Sequence, residues 1–222
     1  MRRTVIIIPA FNCGATIGGL IRRLRYYAPL CEILVVNDGS ADATAAEAER
    51  LSVKVITHPR RRGKGAALQT GMDWAFINGF GFAITMDADG QHDPAEIQRF
   101  LFSGADLAVG QRAFKRGLMP LPRIFSNWLS SLLVSLVAGR KIRDSQCGYR
   151  KVSLKAVEGF KPSTTGYQYE TELLLYVSRV KKGTIANIPI RTIYQGEKSH
   201  IRHIPDTWEF CSVIWRYFWT SK

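Results

Sequence analysis

Cysteine is scarce in this sequence, and its spacing carries no metal-binding or redox motif. The four cysteines, Cys13, Cys31, Cys147 and Cys211, lie far apart, and no two of them form a Cys-x-x-Cys pair. This spacing argues against both a structural zinc site and a disulfide framework. We therefore expect free thiols, which are typical of a cytosolic protein.

Long hydrophobic runs are absent as well. A membrane-spanning helix needs about 18 or more consecutive apolar residues, and the longest weakly polar run here is Leu129–Ala138. The apolar run Thr4–Ile8 is too short for a signal sequence and is ended by Pro9. We expect a chain that is not exported and does not cross a bilayer, although it can touch one.

Acidic residues are few relative to basic ones. The 222 residues include 31 lysines and arginines against 18 aspartates and glutamates, which gives a net charge of +13. This excess predicts an anionic partner: nucleic acid, a phosphorylated substrate or an acidic lipid surface. The charge alone does not choose among them.

Short apolar runs alternate with helix-compatible segments along most of the chain. The expected strands are Val5–Ile8, Ile33–Val36, Val53–Ile56, Phe82–Met86 and Leu107–Val109. The expected helices are Gly14–Tyr27, Asp42–Arg50, Gly65–Asn78 and Pro94–Phe102. This alternation predicts βαβ units in an α/β fold, with a mainly parallel central sheet flanked by helices.

The fourth apolar run ends in a cluster of acidic and polar residues, "MDADGQHDP". Asp87 and Asp89 stand on alternate residues, so an extended chain would point both carboxylates one way, and a bend would let Gln91 join them. Oxygen ligands of this kind suit Mg²⁺ or Mn²⁺ that arrives with a diphosphate. The alternative is a plain Asp-Gly turn at Asp89, with Asp93 as a helix cap.

Three loops are expected on one rim of the sheet. In open parallel sheets, ligands bind beyond the carboxyl ends of the strands. The rule places Pro9–Cys13, Asn37–Ser40 and Asp87–Gln91 together there. The acidic cluster therefore has a predicted location beside two other polar loops.

Five stretches, in this order and spacing, resemble those of the family 2 inverting glycosyltransferases with the GT-A fold. They are "IIIPAFN", "VVNDGSADAT", "GKGAALQTG", "MDADGQHDP" and "DSQCGYR". The closest resemblance is to dolichyl-phosphate mannose synthase-like enzymes, which load a sugar onto a polyprenyl phosphate. It extends from Thr4 to Arg202. It implies a GT-A fold, a nucleotide-sugar donor, a polyprenyl phosphate acceptor and Mg²⁺ or Mn²⁺ as cofactor.

The resemblance also implies a donor site. Pro9, Phe11, Asn12 and Cys13 fall in the loop that holds the nucleotide base and ribose, and Asp38 falls on the acid that contacts the base. Two of these positions depart from the family pattern, since Phe11 replaces a tyrosine and Cys13 a glutamate. The base is therefore not assigned.

Metal and acceptor positions follow in the same way. Asp87, Asp89 and Gln91 fall on the metal-binding positions of the family. Arg143 matches an acceptor-phosphate position, and Arg123 is a second candidate contact. We take Asp89, Arg143 and Arg123 as the candidates for catalysis; the alternative for both arginines is a solvated surface position.

The sequence differs from the family pattern at further positions, among them one in the acceptor-side stretch and several near the C-terminal end of the matching region. Asn37 replaces a common aspartate, and Cys147 replaces a serine of the acceptor-side pattern. Near the end, the family's Asp-Arg pair is missing, and Lys198, His200 or Arg202 are the candidates to replace its phosphate contact.

A basic run precedes the third expected helix. Arg60–Arg62 and Lys64, interleaved with glycine, are suited to cradle a diphosphate, and a solvated charge run is the alternative. Lys64 is included among the nucleotide-sugar-binding candidates. Histidines at 58, 92 and 203 are expected to be structural or surface residues.

Two segments have the pattern of helices that lie on a membrane surface. Ser126–Val137 has serine and asparagine on one stripe and leucine and tryptophan on the other. Thr207–Trp219 has a narrow polar stripe and three tryptophans, which favour membrane interfaces. The alternative is that both are core helices covering the sheet.

The sequence thus predicts a GT-A catalytic domain over residues 1–202 and an amphipathic, aromatic helix over residues 203–222. The favoured function is metal-dependent sugar transfer to a polyprenyl phosphate by a cytoplasmic protein bound peripherally to the inner face of the membrane. One alternative is a family 2 glycosyltransferase with a saccharide or other non-lipid acceptor. Another is a basic nucleic-acid-binding domain, but it leaves Asp87, Asp89 and Gln91 unexplained, and no nucleic-acid motif is present. The oligomeric state is not predicted.

Overall fold

Seven strands form one central sheet. The structure is a computed structural model that describes residues 3–113, 120–193 and 203–219. The strands are β1 (Thr4–Ala10), β2 (Glu32–Asn37), β3 (Lys54–Thr57), β4 (Phe82–Thr85), β5 (Leu107–Gln111), β6 (Arg150–Ser153) and β7 (Ile185–Pro189). Their order is β3-β2-β1-β4-β6-β5-β7, and β6 alone runs antiparallel to its neighbours. The expected α/β architecture with a mainly parallel sheet is confirmed.

Helices flank this sheet. They are α1 (Gly14–Tyr27), α2 (Thr44–Arg50), α3 (Lys64–Ile77), α4 (Ile97–Leu101), α5 (Leu121–Ala138), α6 (Tyr169–Leu175) and α7 (His203–Trp219). Consecutive residues Val5 to Ile8 of β1 are all 0% exposed. Since successive side chains of a strand point to opposite faces, both faces of the sheet are covered at its centre.

Strands β6 and β7 were not expected from the sequence. Strand β6 looks polar because it carries Arg150 and Lys151, yet these residues are only 1% and 4% exposed. The guanidinium of Arg150 donates hydrogen bonds to the main-chain carbonyls of Ser145, Cys147 and Glu170. These bonds compensate the burial of its charge, so the residue is accommodated inside the sheet region.

The predicted helix Pro94–Phe102 is divided into two parts. A 3-10 turn at Pro94–Glu96 leads into the short helix α4. The carboxylate of Asp93 accepts a hydrogen bond from the backbone N–H of Ala95 at 3.0 Å. Asp93 is therefore a cap, as the sequence indicated.

Helix α5 turns part of its polar stripe inward and much of its apolar stripe outward. Ser131 is 4% exposed, and its hydroxyl oxygen accepts a hydrogen bond from the backbone N–H of Ser145 at 3.0 Å. Phe125 and Leu136 are 63% and 69% exposed. Among the described residues, α5 alone is long and apolar enough to cross a membrane, with 18 residues and a mean hydropathy of 1.3. Serines interrupt its apolar residues, which is why a count of uninterrupted runs missed it.

Helix α7 is anchored by a few residues and otherwise exposed. Val213 and Tyr217 are 2% and 6% exposed, and the helix contacts α5 and α6. Arg216 forms an ion pair of 3.1 Å with the buried carboxylate of Glu172 on α6. Trp208 and Trp215 are 76% and 67% exposed. The helix is thus attached along one face while its tryptophans meet solvent.

Candidate active site

The three polar loops expected on one rim are joined by hydrogen bonds. The backbone N–H of Asn12 donates to the hydroxyl of Ser40 at 3.0 Å, and the side-chain oxygen of Asn12 accepts from the backbone N–H of Ala41 at 2.9 Å. The hydroxyl of Thr16 on α1 donates to the carbonyl of Ala88 at 2.8 Å. The loops after β1, β2 and β4 therefore form one connected surface.

Asp38 lies in this surface, but its carboxylate is already engaged. It accepts hydrogen bonds from the backbone N–H groups of Arg62 and Gly63, each at 2.8 Å, and one oxygen lies 2.7 Å from Nδ1 of His58. The side chain is 4% exposed. Asp38 therefore fixes the loop that leads into α3, and His58 is the structural histidine that the sequence indicated.

Lys64, at the start of α3, lies between two carboxylates. Its ammonium is 2.7 Å from Oδ1 of Asp87 and 3.1 Å from Oε2 of Glu170. Burial alone would lower the pKa of Lys64, but the two carboxylates outweigh it and hold that pKa above its ordinary value. Burial would raise the pKa of Asp87, and the Lys64 ammonium reverses this effect, so the pKa lies below its ordinary value. Both pKa shifts favour the charged forms of Lys64 and Asp87.

Glycine makes the room for this arrangement. A Cβ at Gly148 would lie 2.5 Å from Oδ2 of Asp87 and 2.9 Å from the ammonium of Lys64. A Cβ at Gly65 would lie 2.6 Å from the carbonyl oxygen of Gly166. Any larger residue at these positions would displace the charged groups or the start of α3.

His92 supports the acidic loop from behind. Its Nδ1 accepts the backbone N–H of Asp87 at 3.2 Å, and its ring is 5.2 Å from the ring of Tyr149. Burial lowers the pKa of His92 to about 4 and raises the pKa of the neighbouring Cys147 thiol to about 12. Both groups are therefore neutral near pH 7, and the contacts of His92 agree with the structural role expected for it.

The donor set of the acidic loop fits a hard divalent ion. Asp89 is exposed, and its Oδ1 accepts the backbone N–H of Gln91 at 3.0 Å. Gly90 has a φ of +81°, so the Asp-Gly turn that stood as an alternative is present, and it leaves the Asp89 carboxylate on the rim. No group of three or more histidine, cysteine, aspartate or glutamate ligands occurs among the described residues. One or two carboxylates with substrate phosphates is the usual way in which Mg²⁺ is held.

The remaining donor candidates lie at the end of β1 and in the loop that follows it. The Phe11 ring is 38% exposed, and the guanidinium of Arg61 lies 4.2 Å from its centroid. Pro9 is half-buried, and Cys13 is the residue that precedes α1. Burial raises the pKa of the Cys13 thiol.

The acceptor candidates lie on separate elements. Arg143 is exposed in the loop before β6, and its backbone N–H donates to the side chain of Asn187 at 2.9 Å. Arg123 is half-buried in the first turn of α5. The sequence reasoning missed Arg112, whose guanidinium forms a two-pronged contact with the fully buried Asp144 at 2.7 and 3.0 Å. This fork holds the segment that carries Arg143.

One group of candidates lies outside the described part of the chain, and one site residue was not predicted. Lys198, His200 and Arg202 lie outside the described residues. Glu170 was missed, because its tie to Lys64 joins residues far apart in the sequence and leaves no local motif.

Comparison with known proteins identifies the family. Residues 5–119 match the model of the glycosyl transferase family 2. Polyprenol monophosphomannose synthase of Mycolicibacterium smegmatis is 33% identical over 192 residues, which are 78% of this chain and 71% of that protein. UDP-N-acetylglucosamine–dolichyl-phosphate N-acetylglucosaminyltransferase of Methanococcus voltae is 31% identical over 216 residues, covering 85% of each chain.

A solved structure shares the fold. Glucosyl-3-phosphoglycerate synthase of Mycobacterium tuberculosis, in complex with Mn²⁺, UDP and glucosyl-3-phosphoglycerate, superposes with a TM-score of 0.77 over 97% of this chain and 80% of that one, at 19% identity. The chain has the GT-A glycosyltransferase fold and is a glycosyltransferase. It belongs to the glycosyl transferase family 2, and its relatives include enzymes named for sugar transfer to polyprenyl phosphates.

Proposed function

We propose that this glycosyltransferase transfers a sugar, with inversion, from a nucleoside-diphosphate sugar to a polyprenyl phosphate at the cytoplasmic face of a membrane. The observation that carries the proposal is the exposed apolar surface of α5 and α7 on a chain that has a glycosyltransferase site. The names of the relatives support the same acceptor class. The enzyme assignment favours this reading over a nucleic-acid-binding domain.

The donor binds across the loops of the rim. The base and ribose lie against Pro9, Phe11, Asn12 and Cys13, and Asp38 acts mainly by holding the loop that leads to Lys64. The half-exposed Phe11 ring beside Arg61 supports this assignment, since it offers a flat apolar face next to a positive charge. The diphosphate lies near Lys64 and the acidic loop.

Asp87, Asp89 and Gln91 would hold a divalent ion, Mg²⁺ or Mn²⁺. When bound, such an ion offsets the negative charge that develops on the departing diphosphate by several kcal/mol. The exposed carboxylate of Asp89 supports this assignment, since Mg²⁺ is commonly held by one or two carboxylates together with substrate phosphates.

The acceptor needs little chemical activation. A phosphate monoester is already an anion at neutral pH, so an oxygen of the acceptor phosphate can attack the anomeric carbon without a dedicated general base. The bond from that carbon to the donor diphosphate breaks as the new bond forms, and the nucleoside diphosphate leaves. Arg143 and Arg123 hold the acceptor phosphate against repulsion from the donor diphosphate.

The exposed apolar surface brings the enzyme to its lipid substrate. It consists of side chains of two helices that contact each other: Phe125, Trp128, Leu129, Leu132 and Leu136 of α5, and Trp208, Trp215, Phe218 and Trp219 of α7. Exposed aromatic and aliphatic side chains on a chain of net charge +13 favour adsorption to an anionic membrane surface. Residues 203–222 then form a peripheral attachment to the catalytic domain of residues 1–202.

A panel of sugar nucleotides offered with a short polyprenyl phosphate tests the proposal. We expect one donor to give a product that is extracted into organic solvent and has the mass of a glycosyl phospholipid. Sugar transfer only to added soluble acceptors would instead support the non-lipid alternative.

A further inference from the structure

The cluster formed by Lys64, Asp87 and Glu170 contains one more carboxylate than the metal site needs. Asp87 is the first of the proposed metal ligands, yet its Oδ1 is in contact with the Lys64 ammonium at 2.7 Å. Glu170 reaches the same ammonium from α6 at 3.1 Å. The Lys64 ammonium and the divalent ion would therefore both contact the carboxylate of Asp87.

Glu170 is built into the site and has spare binding capacity. It is 7% exposed, and among the described residues its second oxygen, Oε1, is buried without a hydrogen-bond partner. A buried carboxylate oxygen without a donor is costly, so its retention calls for an explanation. An ammonium that moves closer to Glu170 would supply the donor that Oε1 lacks.

The surrounding backbone fixes Glu170 relative to Lys64. The backbone N–H of Ala66, in the first turn of α3, donates to the carbonyl of Thr165 at 3.1 Å. A Cβ at Gly65 would lie 2.7 Å from the Cβ of Tyr169, the residue before Glu170. The start of α3 and the start of α6 are therefore packed too closely for Glu170 and Lys64 to separate readily.

We propose that Lys64 is a built-in monovalent cation that shares Asp87 with the divalent ion, and that Glu170 is a positioning residue that retains Lys64 when the divalent ion takes Asp87. Without Glu170, the divalent ion would leave a buried ammonium without a carboxylate partner. Glu170 thus sets how tightly the metal binds, although it is not a metal ligand. The inference rests on the metal site of the proposed function.

Two substitutions of opposite effect test it. Glu170→Gln keeps the size of the side chain and removes the charge that retains Lys64, so Mn²⁺ binding should weaken by about tenfold. Lys64→Met removes the competing cation and leaves both carboxylates, so Mn²⁺ binding should tighten by about threefold to tenfold. In the double variant, which also lacks the Lys64 ammonium, Glu170→Gln should weaken Mn²⁺ binding much less than it does in the native chain, because no ammonium needs a carboxylate partner.

The readout is the dissociation constant of Mn²⁺ on the purified chain, measured by the electron paramagnetic resonance of the free ion, first with Mn²⁺ alone and then with a nucleoside diphosphate present. Glu49→Gln, an equal charge change at an exposed position of α2, is the matched control and should leave the constant unchanged. Thermal melting of each variant checks that it is folded. Because Lys64→Met is expected to tighten binding, loss of fold cannot imitate the predicted pattern.

The outcomes separate this inference from the function on which it rests. If the native chain binds no Mn²⁺ either alone or with a nucleoside diphosphate present, or if Asp89→Asn binds it as well as the native chain does, the proposed metal site itself is wrong. If the native chain binds Mn²⁺ and Asp89→Asn does not, but folded Glu170→Gln binds Mn²⁺ as tightly as the native chain, only the role of Glu170 is overturned. Weaker Mn²⁺ binding in Lys64→Met would equally overturn it.

Discussion

Replacing the exposed tryptophans of α7 by serine should detach the protein from anionic membranes while leaving it folded. Trp208, Trp215 and Trp219 are 76%, 67% and 51% exposed, which together equals about two whole indole side chains. An aromatic side chain offers about 150–250 Å², and apolar burial contributes about 25 cal/mol per Å². Complete removal of this area from water would therefore contribute about 10 kcal/mol. If a third of it leaves water on adsorption, the contribution is about 3 kcal/mol, or about a hundredfold in partition.

Flotation with vesicles of phosphatidylcholine and phosphatidylglycerol measures this effect. Substitution is sharper than truncation, because removing the helix would also remove the buried Val213 and Tyr217. A matched control replaces Tyr26, Leu30 and Phe102 by serine, since they lie outside α5 and α7 and are 79%, 97% and 85% exposed. Equal flotation of the tryptophan variant and the native protein, or an equal loss in the control, would show that these tryptophans do not attach the protein to the membrane.

Three further predictions concern the site. Asp89→Asn should abolish nearly all sugar transfer and leave the melting temperature unchanged, because Asp89 is exposed. Chelation by EDTA should abolish transfer reversibly, and full activity in excess EDTA would reject the metal role. Asp38→Ala should lower the free energy of unfolding by about 2–4 kcal/mol and raise the KM for the donor, because it removes charge-assisted hydrogen bonds that hold the loop before α3. An unchanged melting temperature and an unchanged KM would contradict this. Arg143→Ala should lower the rate of transfer to polyprenyl phosphate by about one to three powers of ten, as expected for a lost charge-assisted contact. Arg143→Lys should restore part of the rate, and calorimetry should show unchanged donor binding in both variants. Transfer at the native rate would show that Arg143 is not part of the acceptor site.

Local patterns in the sequence were sufficient for the rim of the sheet and its loops. The strands that precede Pro9, Asp38 and Asp87 are apolar, and the polar residues that follow them are in sequence order, so the rule for parallel sheets brought them together. The Asp93 cap and the start of α1 followed from local signals as well.

Long-range compensation explains what the sequence did not reveal. Strand β6 was not predicted because it contains Arg150, a charged residue that is atypical of a buried strand. Its guanidinium is compensated by hydrogen bonds to carbonyls outside the strand. The periodicity of α5 identified its two stripes, but not that Ser131 faces inward, because its partner Ser145 lies beyond the end of the helix. Glu170 meets Lys64 only after the chain has folded, so no spacing pattern marks it.

The most direct test of the central claim is a competition between two acceptors. The purified enzyme, its preferred sugar nucleotide and Mg²⁺ or Mn²⁺ are incubated with equal concentrations of a short polyprenyl phosphate and 3-phosphoglycerate, and both products are identified by mass after extraction into organic and aqueous phases. We predict that the sugar enters the organic phase as a glycosyl polyprenyl phosphate, and that this product disappears with Asp89→Asn. Sugar found only on the soluble acceptor, or an organic product that persists in Asp89→Asn, would contradict it.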